Sequence, residues 1–186
     1  MLKQELRQYY LNLRRGLSPQ QIDTFSLAIA NKLLSLPIWS FEYYHIFLQI
    51  ALQNEVNTQP ILAILSGRDK SIVIPKVISS DHFSSFLLTD STRLISNRWG
   101  IPEPADGLEV PAEKIDVVFL PLLAFDHNGH RVGYGKGFYD SFLNTCRDDV
   151  IKIGLSFFDA EAGIDDLHEG DMAMDYCVTP QEVYRF

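Results

Sequence analysis

Cysteine is scarce: the 186-residue chain has two, Cys146 and Cys177. Two thiols cannot build a disulfide framework, and these lack the paired spacing of a zinc site. A reducing, cytoplasmic compartment is the expectation. Basic charge is also short, with 16 Lys and Arg against 24 Asp and Glu for a net charge of -8. The chain therefore offers no diffuse attraction to nucleic acid or to an anionic membrane, and any anionic ligand must be held by a local cluster. No stretch approaches the roughly 20 uninterrupted apolar residues of a membrane span. The N-terminus, with Lys3, Glu5, Arg7, Arg14 and Arg15 spread along a periodic pattern, lacks the apolar block of a signal peptide, so the mature chain is expected to start at Met1. Internal repeats, low-complexity tracts and linkers are missing as well.

What is present is the balance of one globular domain, residues 1–186, with 46% hydrophobic and 22% charged residues. Leu2, Leu6, Tyr9, Tyr10 and Leu13 recur at helical spacing up to Gly16, predicting a helix over 2–15 with Lys3 and Arg7 one turn apart on one face. Ser18-Pro19-Gln20-Gln21 carries a capping box and predicts a second helix to about Leu36. A nearly continuous apolar run from His45 to Leu52 predicts a strand covered on both faces, with Glu55 in the loop after it. Thr58-Gln59-Pro60 opens a short helix ended by Gly67, and Ile72-Val73-Ile74 makes a strand closed by Pro75. Phe86 to Leu88, Ile115 to Leu120, Ile151 to Phe157 and Cys177 to Thr179 supply further strands. Asn97 to Pro111, broken by glycine and proline, predicts a loop carrying Trp99, and Phe138 to Cys146 a helix. Strands alternating with helices predict an α/β fold: a three-layer domain whose largely parallel sheet is flanked by helices on both faces.

The window from Phe125 to Asp140 holds Gly133-Tyr134-Gly135-Lys136-Gly137 ahead of that last helix. Glycines at alternate positions let backbone amides approach an anion, and the helix that follows points its positive end at the same place. Arg131 adds a planar fork, Lys136 a point charge, and Asp140 a hard oxygen ligand for a magnesium ion. A tight loop with no ligand would show the same glycines, and neither common phosphate fingerprint is present. An Arg, a Lys and an Asp within ten residues of an acidic chain favour the phosphate reading.

The run Asp116 to Asp126, then Gly129, Arg131 and Gly133 to Asp140, resembles the signature of the 5-formyltetrahydrofolate cyclo-ligase family, also called 5,10-methenyltetrahydrofolate synthetases. The resemblance extends along nearly the whole chain. It takes in Lys3-Gln4-Glu5-Leu6-Arg7, Glu55, Ile74-Pro75-Lys76, Trp99-Gly100-Ile101-Pro102-Glu103-Pro104, His168 to Asp175 and Val178-Thr179-Pro180. Phe138 stands where the family often has Tyr.

The resemblance implies ATP- and Mg2+-dependent closure of 5-formyltetrahydrofolate to 5,10-methenyltetrahydrofolate, with release of ADP and phosphate. Phosphorylation of the formyl oxygen would turn an amide-like carbon into an electrophile for N10. It further implies that Lys3, Arg7, Arg131, Gly133, Tyr134, Gly135, Lys136, Gly137, Phe138 and Tyr139 bind ATP, with Lys136 and Arg131 neutralising charge during transfer. Glu55 would receive N–H donors of the pterin ring. Trp99, Tyr134 and Phe138 would offer flat faces to the folate, with Gly135, Lys136 and Gly137 beside them. Asp140 and Asp171 would hold the metal, with Asp175 the rival of Asp171, and Lys76 would meet the glutamate tail.

Each role has a plainer alternative. Lys3 and Arg7 suit a solvated helix face, Glu55 and Asp171 a loop surface, Trp99 a core, and Lys76 open solvent. The partner expected is a reduced folate, with no nucleic acid or membrane, on a monomer or weak homodimer. A kinase for another small molecule, or a nucleotide-binding domain without turnover, could use the same loop.

Overall fold

A computed structural model describes residues 1–186. Helix α1, Lys3–Arg15, begins where the Glu5 carboxylate accepts the Leu2 N–H at 2.9 Å and ends at Gly16. Its buried stripe is Lys3, Leu6, Tyr10 and Arg14, so two of its cations share one inward face with apolar side chains. Helix α2, Pro19–Leu33, has the predicted capping box: the Gln21 N–H donates to Ser18 Oγ at 3.2 Å and the Ser18 N–H to Gln21 Oε1 at 2.9 Å. Helix α3 is Gln59–Gly67 and α4 is Phe138–Leu143.

The strands are β1 Tyr43–His45, β2 Ser71–Val77, β3 Phe83–Leu87, β4 Leu94–Ser96, β5 Pro102–Pro104, β6 Val117–Pro121, β7 Ala124–Phe125, β8 Arg131–Val132, β9 Ile151–Leu155, β10 Tyr176–Val178 and β11 Val183–Arg185. Seven of them form one sheet in the order β11-β10-β9-β6-β1-β2-β3. β10, β9, β6, β1 and β2 run parallel, and β11 and β3 are antiparallel edges. On one face α2 and α3 bury Tyr44, Ile74, Val117, Phe119 and Leu155. On the other, α4 and the loops cover Val73, Val118, Leu120 and Cys177. α1 packs through Leu6 and Tyr10 against Leu123, Ala124 and Val132 of the small β7–β8 hairpin. The α/β fold with helices on both faces is thus as predicted.

The sheet reverses its winding between β1 and β6, because β2 and β3 are laid down on one side of β1 and β6, β9 and β10 on the other. In open parallel sheets the crevice at the carboxyl ends of the strands beside such a reversal is the usual place for a ligand.

Several predicted boundaries differ. The apolar run after Tyr43 pairs only as far as His45; Ile46 donates a last bond to the Val73 carbonyl at 2.9 Å, and Ala51–Gln53 form a 3-10 turn. Ile46, Phe47 and Leu48 are apolar because they enter the core, not because they extend the ladder. Pro75 does not close β2, which continues to Val77. The Val73 carbonyl faces β1, and residues two apart face alike, so the Pro75 nitrogen points to the side where β1 has already ended and costs no ladder bond.

The predicted loop 97–111 contains β5, paired with β4. Bonds from Asn97 N to Ile101 O at 2.9 Å and from Ala105 N to Arg93 O at 2.8 Å place Pro102 and Pro104 at the alternate positions, whose nitrogens face away from β4. β3 begins at Phe83, three residues ahead of its expected start, α2 and α4 end at Leu33 and Leu143 instead of Leu36 and Cys146, and β9 ends at Leu155. β11 was not signalled in the sequence.

Candidate active site

A cavity of about 390 Å³ opens at the carboxyl ends of β1, β2 and β6, between the segment that follows β8 and the β4–β5 hairpin. Every residue that the resemblance made a site candidate lines it except Lys76 and Asp175. Lys76 instead donates to the Ala105 carbonyl at 2.8 Å and lies 5.6 Å over the Phe86 ring, committed to the hairpin and turned away from the cavity. Asp175 caps the backbone of Lys152 at 2.7 Å and pairs with its amine at 2.9 Å.

The glycine segment runs from the end of β8 to the start of α4. Gly135 and Gly137 have φ of +87° and +70°, left-handed conformations that glycine adopts without cost. A Cβ at Gly133 or Gly137 would meet no atom within 4 Å, whereas one at Gly135 would lie 3.2 Å from the Arg7 guanidinium. The backbone here borders open space, as a cradle for an anion requires. α4 has only six residues, so the loop amides and nearby cations, more than a helix dipole, make this end electropositive.

Four cations converge on the loop. Arg7 Nε donates to the Gly133 carbonyl at 2.9 Å. Arg131 is held by Asp140 Oδ1 at 2.6 Å and the Met172 carbonyl at 2.7 Å. Buried Lys3 is hydrogen-bonded to Asp171, while its backbone N–H donates to Asp166 at 2.6 Å. Lys136 makes no hydrogen bond; its amine rests 4.5 Å from the centre of the Trp99 ring, which Arg98 approaches at 4.1 Å. This arrangement makes Trp99 a support for the loop lysine as well as a cavity wall.

Asp140 and Asp171 therefore stand in ion pairs, each with one oxygen that accepts no hydrogen bond from the chain. Burial, the largest single influence, opposes ionisation of Asp171, but the Lys3 hydrogen bond, the His168 N–H and the nearby positive charge together outweigh it and hold the carboxyl below its ordinary range. No group of three or more His, Cys, Asp or Glu is assembled anywhere. That donor set suits a magnesium ion, which takes one or two carboxylates together with waters and phosphate oxygens in preference to an all-protein cage.

The rest of the lining is built differently. Glu55, 2% exposed, accepts from the Ile50 N–H at 2.7 Å and from the Tyr134 hydroxyl at 2.8 Å. Burial raises its pKa, against the lowering effects of Ile50, Arg14 and Tyr134. Glu103, unremarked in the sequence beyond its motif, also lines the cavity; its Oε1 accepts from Val77 N at 2.8 Å and Asn97 Nδ2 at 2.9 Å. Phe83 and Phe138, centroids 6.3 Å apart, and Tyr139 form an aromatic wall. The Tyr139 hydroxyl is buried without a partner, and burial drives its pKa up.

Arg14 is the residue that sequence reasoning missed. Its guanidinium donates to the Tyr134 hydroxyl at 2.8 Å and to the Leu122 carbonyl. The signal was available: Arg14 follows Lys3, Leu6 and Tyr10 at three- and four-residue spacing, on the buried stripe.

The chain is similar to several known proteins. A solution structure of Aquifex aeolicus 5,10-methenyltetrahydrofolate synthetase superposes with a TM-score of 0.81 at 28% identity, covering 100% of this chain and 93% of that one. A Mycoplasma pneumoniae 5,10-methenyltetrahydrofolate synthetase, at 22% identity and TM-score 0.74 over 97% and 99% of the two chains, shares the fold. The Escherichia coli K12 protein named 5-formyltetrahydrofolate cyclo-ligase is 26% identical over 93% of this chain and 97% of its own. With residues 1–180 matching its sequence family as a whole, the chain belongs to the 5-formyltetrahydrofolate cyclo-ligase family.

Proposed function

We propose that the chain, acting as a single domain, converts 5-formyltetrahydrofolate to 5,10-methenyltetrahydrofolate with ATP as co-substrate and Mg2+ as cofactor, releasing ADP and phosphate. The observation that supports this reading is the mixed lining of one cavity: glycines and four cations together with a buried carboxylate and aromatic faces. A nucleotide sensor needs only the glycines and the cations.

The formyl carbon is amide-like and its oxygen a poor leaving group. Transfer of the γ-phosphoryl group to that oxygen makes the carbon electrophilic; N10 then attacks, loses its proton, and phosphate departs with closure of the ring. Magnesium, when bound, supplies charge neutralisation on the phosphate oxygens.

The protein's part is positioning and electrostatics. Lys3, Arg7 and Arg131 are held by backbone or carboxylate partners and offer pre-organised charge for a triphosphate. Lys136, free of hydrogen bonds, can leave Trp99 to follow the transferring group. Glu55 receives ring N–H donors, each of its oxygens carrying only one internal bond. Trp99 and Phe138 give the ring apolar faces.

The test is to follow methenyl absorbance on mixing protein, MgATP and 5-formyltetrahydrofolate, with ATP or Mg2+ omitted in parallel. Product only in the complete mixture is expected. ATP binding without turnover of the folate would overturn the reading in favour of a nucleotide-binding domain.

A further inference from the structure

We propose that Arg14 is a positioning residue for substrate binding, acting on Glu55 through the Tyr134 hydroxyl. The inference rests on the reading of Glu55 as the group that receives the folate ring, and adds what holds that group ready.

Arg14 is 2% exposed, yet no carboxylate pairs with it. Its Nη2 donates to the Leu122 carbonyl, its Nη1 to the Tyr134 hydroxyl at 2.8 Å, and its Nε is buried without a partner. A buried guanidinium with no direct counter-ion is unfavourable unless something compensates its charge. The compensating anion is one hydrogen bond further on. Tyr134, having accepted from Arg14, donates to Glu55 Oε1 at 2.8 Å, so cation, hydroxyl and carboxylate form one polarised chain.

A second tie runs through the backbone. The Arg14 carbonyl accepts from Asn54 Nδ2 at 2.8 Å, and Asn54, at φ 47°, turns the chain immediately before Glu55. Helix α1 thus fixes the Glu55 loop by main chain and side chain at one residue. The titratable and charged groups around Glu55 are Arg14 of α1, Tyr134 of the glycine loop and Tyr139 of α4. Arg14 is the only cation among them. Burial pushes Glu55 toward its neutral form, Arg14 opposes this, and a neutral carboxyl would meet ring N–H donors with one acceptor lost.

The experiment compares Arg14→Met, Arg14→Lys, Tyr134→Phe and the Arg14→Met/Tyr134→Phe double variant in the full chain. Two readouts are used. The first needs no substrate: ¹³C carboxylate NMR of Glu55 against pH, where Arg14→Met should move the Glu55 midpoint upward and Arg14→Lys should move it less. The second is steady-state kinetics. Arg14→Met should raise the folate KM about tenfold with little change in the ATP KM, and the acid limb of kcat/KM for the folate should move to higher pH. In the double variant the two losses should be much less than additive, because each breaks the same chain. An unmoved Glu55 midpoint, additive losses, or equal rises in both KM values would overturn the proposal, the last by showing that α1 had merely shifted. If the midpoint moves but wild-type protein forms no methenyl product, the relay stands and the assignment of the folate fails instead.

Discussion

Arg131 and Asp140 lock the two ends of the glycine loop together: Nη2 of the first lies 2.6 Å from Oδ1 of the second, joining β8 to the first turn of α4. The carboxylate that could hold a metal is thus also the clamp on Arg131, a cation proposed to bind phosphate. Asp140→Asn should act twice, weakening a hard cation's site and loosening Arg131. A magnesium titration of activity should show half-saturation at severalfold higher Mg2+, accompanied by a higher ATP KM. Asp171→Asn should shift the same curve, with the release of Lys3 as its second effect. Unchanged half-saturation in both variants would remove the metal assignment.

Lys136→Ala should cost activity without cost to the fold. The residue is exposed, makes no hydrogen bond and has its amine over the Trp99 face, so the far-ultraviolet circular dichroism and melting temperature should stay near those of the wild type. Turnover should fall by about a hundredfold or more, the usual scale for loss of one charged group that acts in the transition state. Near-normal kcat in a folded variant would take Lys136 out of the mechanism.

The glycine loop was legible in the sequence because its chemistry does not depend on packing. Alternating glycines beside Arg131 and Lys136 suit an anion in any fold, Lys3, Arg7, Glu55, Trp99 and Asp171 become candidates through the family resemblance, and the structure brings all of them to the same cavity from positions as far apart as α1 and the segment before β10. What was not legible was hydrogen-bond direction. Nothing in spacing says that Tyr134 turns its hydroxyl toward Glu55, or that Lys76 is spent on the Ala105 carbonyl. Strand limits failed for a similar reason. Apolar residues from Ile46 to Leu48 satisfy the core equally well in or out of a ladder, and prolines at 75, 102 and 104 are tolerated only because their nitrogens face away from a partner strand.

Glu55→Gln should separate the two substrates. The amide keeps one acceptor for Ile50 or Tyr134 but replaces the other with a donor, and it no longer balances Arg14. The folate KM should rise by about ten- to a hundredfold and the ATP KM by about twofold or less. Equal effects on both constants would make Glu55 a structural acid.

His45 supplies a pH dependence that is independent of the reaction. It ends β1, is 0% exposed, and lies against Phe142 and Phe83 with centroids at 4.6 and 5.3 Å. Neither ring nitrogen has a partner, and burial lowers its pKa from 6.5 to about 3. The folded state therefore holds a neutral imidazole at pH values where the unfolded chain binds a proton. Stability from this group is complete above the ordinary imidazole range and is lost as the pH falls from about 6.5 toward 3, at a limiting rate of about 1.4 kcal/mol per pH unit. Chemical denaturation at pH 7.5 and pH 4.5 measures it. His45→Leu, which has nothing to protonate, should lose about 2 to 3 kcal/mol less than the wild type between those two pH values, whatever its absolute stability, since the carboxylates that also titrate there are common to both. Equal losses in the two proteins would mean that His45 finds a partner or reaches water in the folded state.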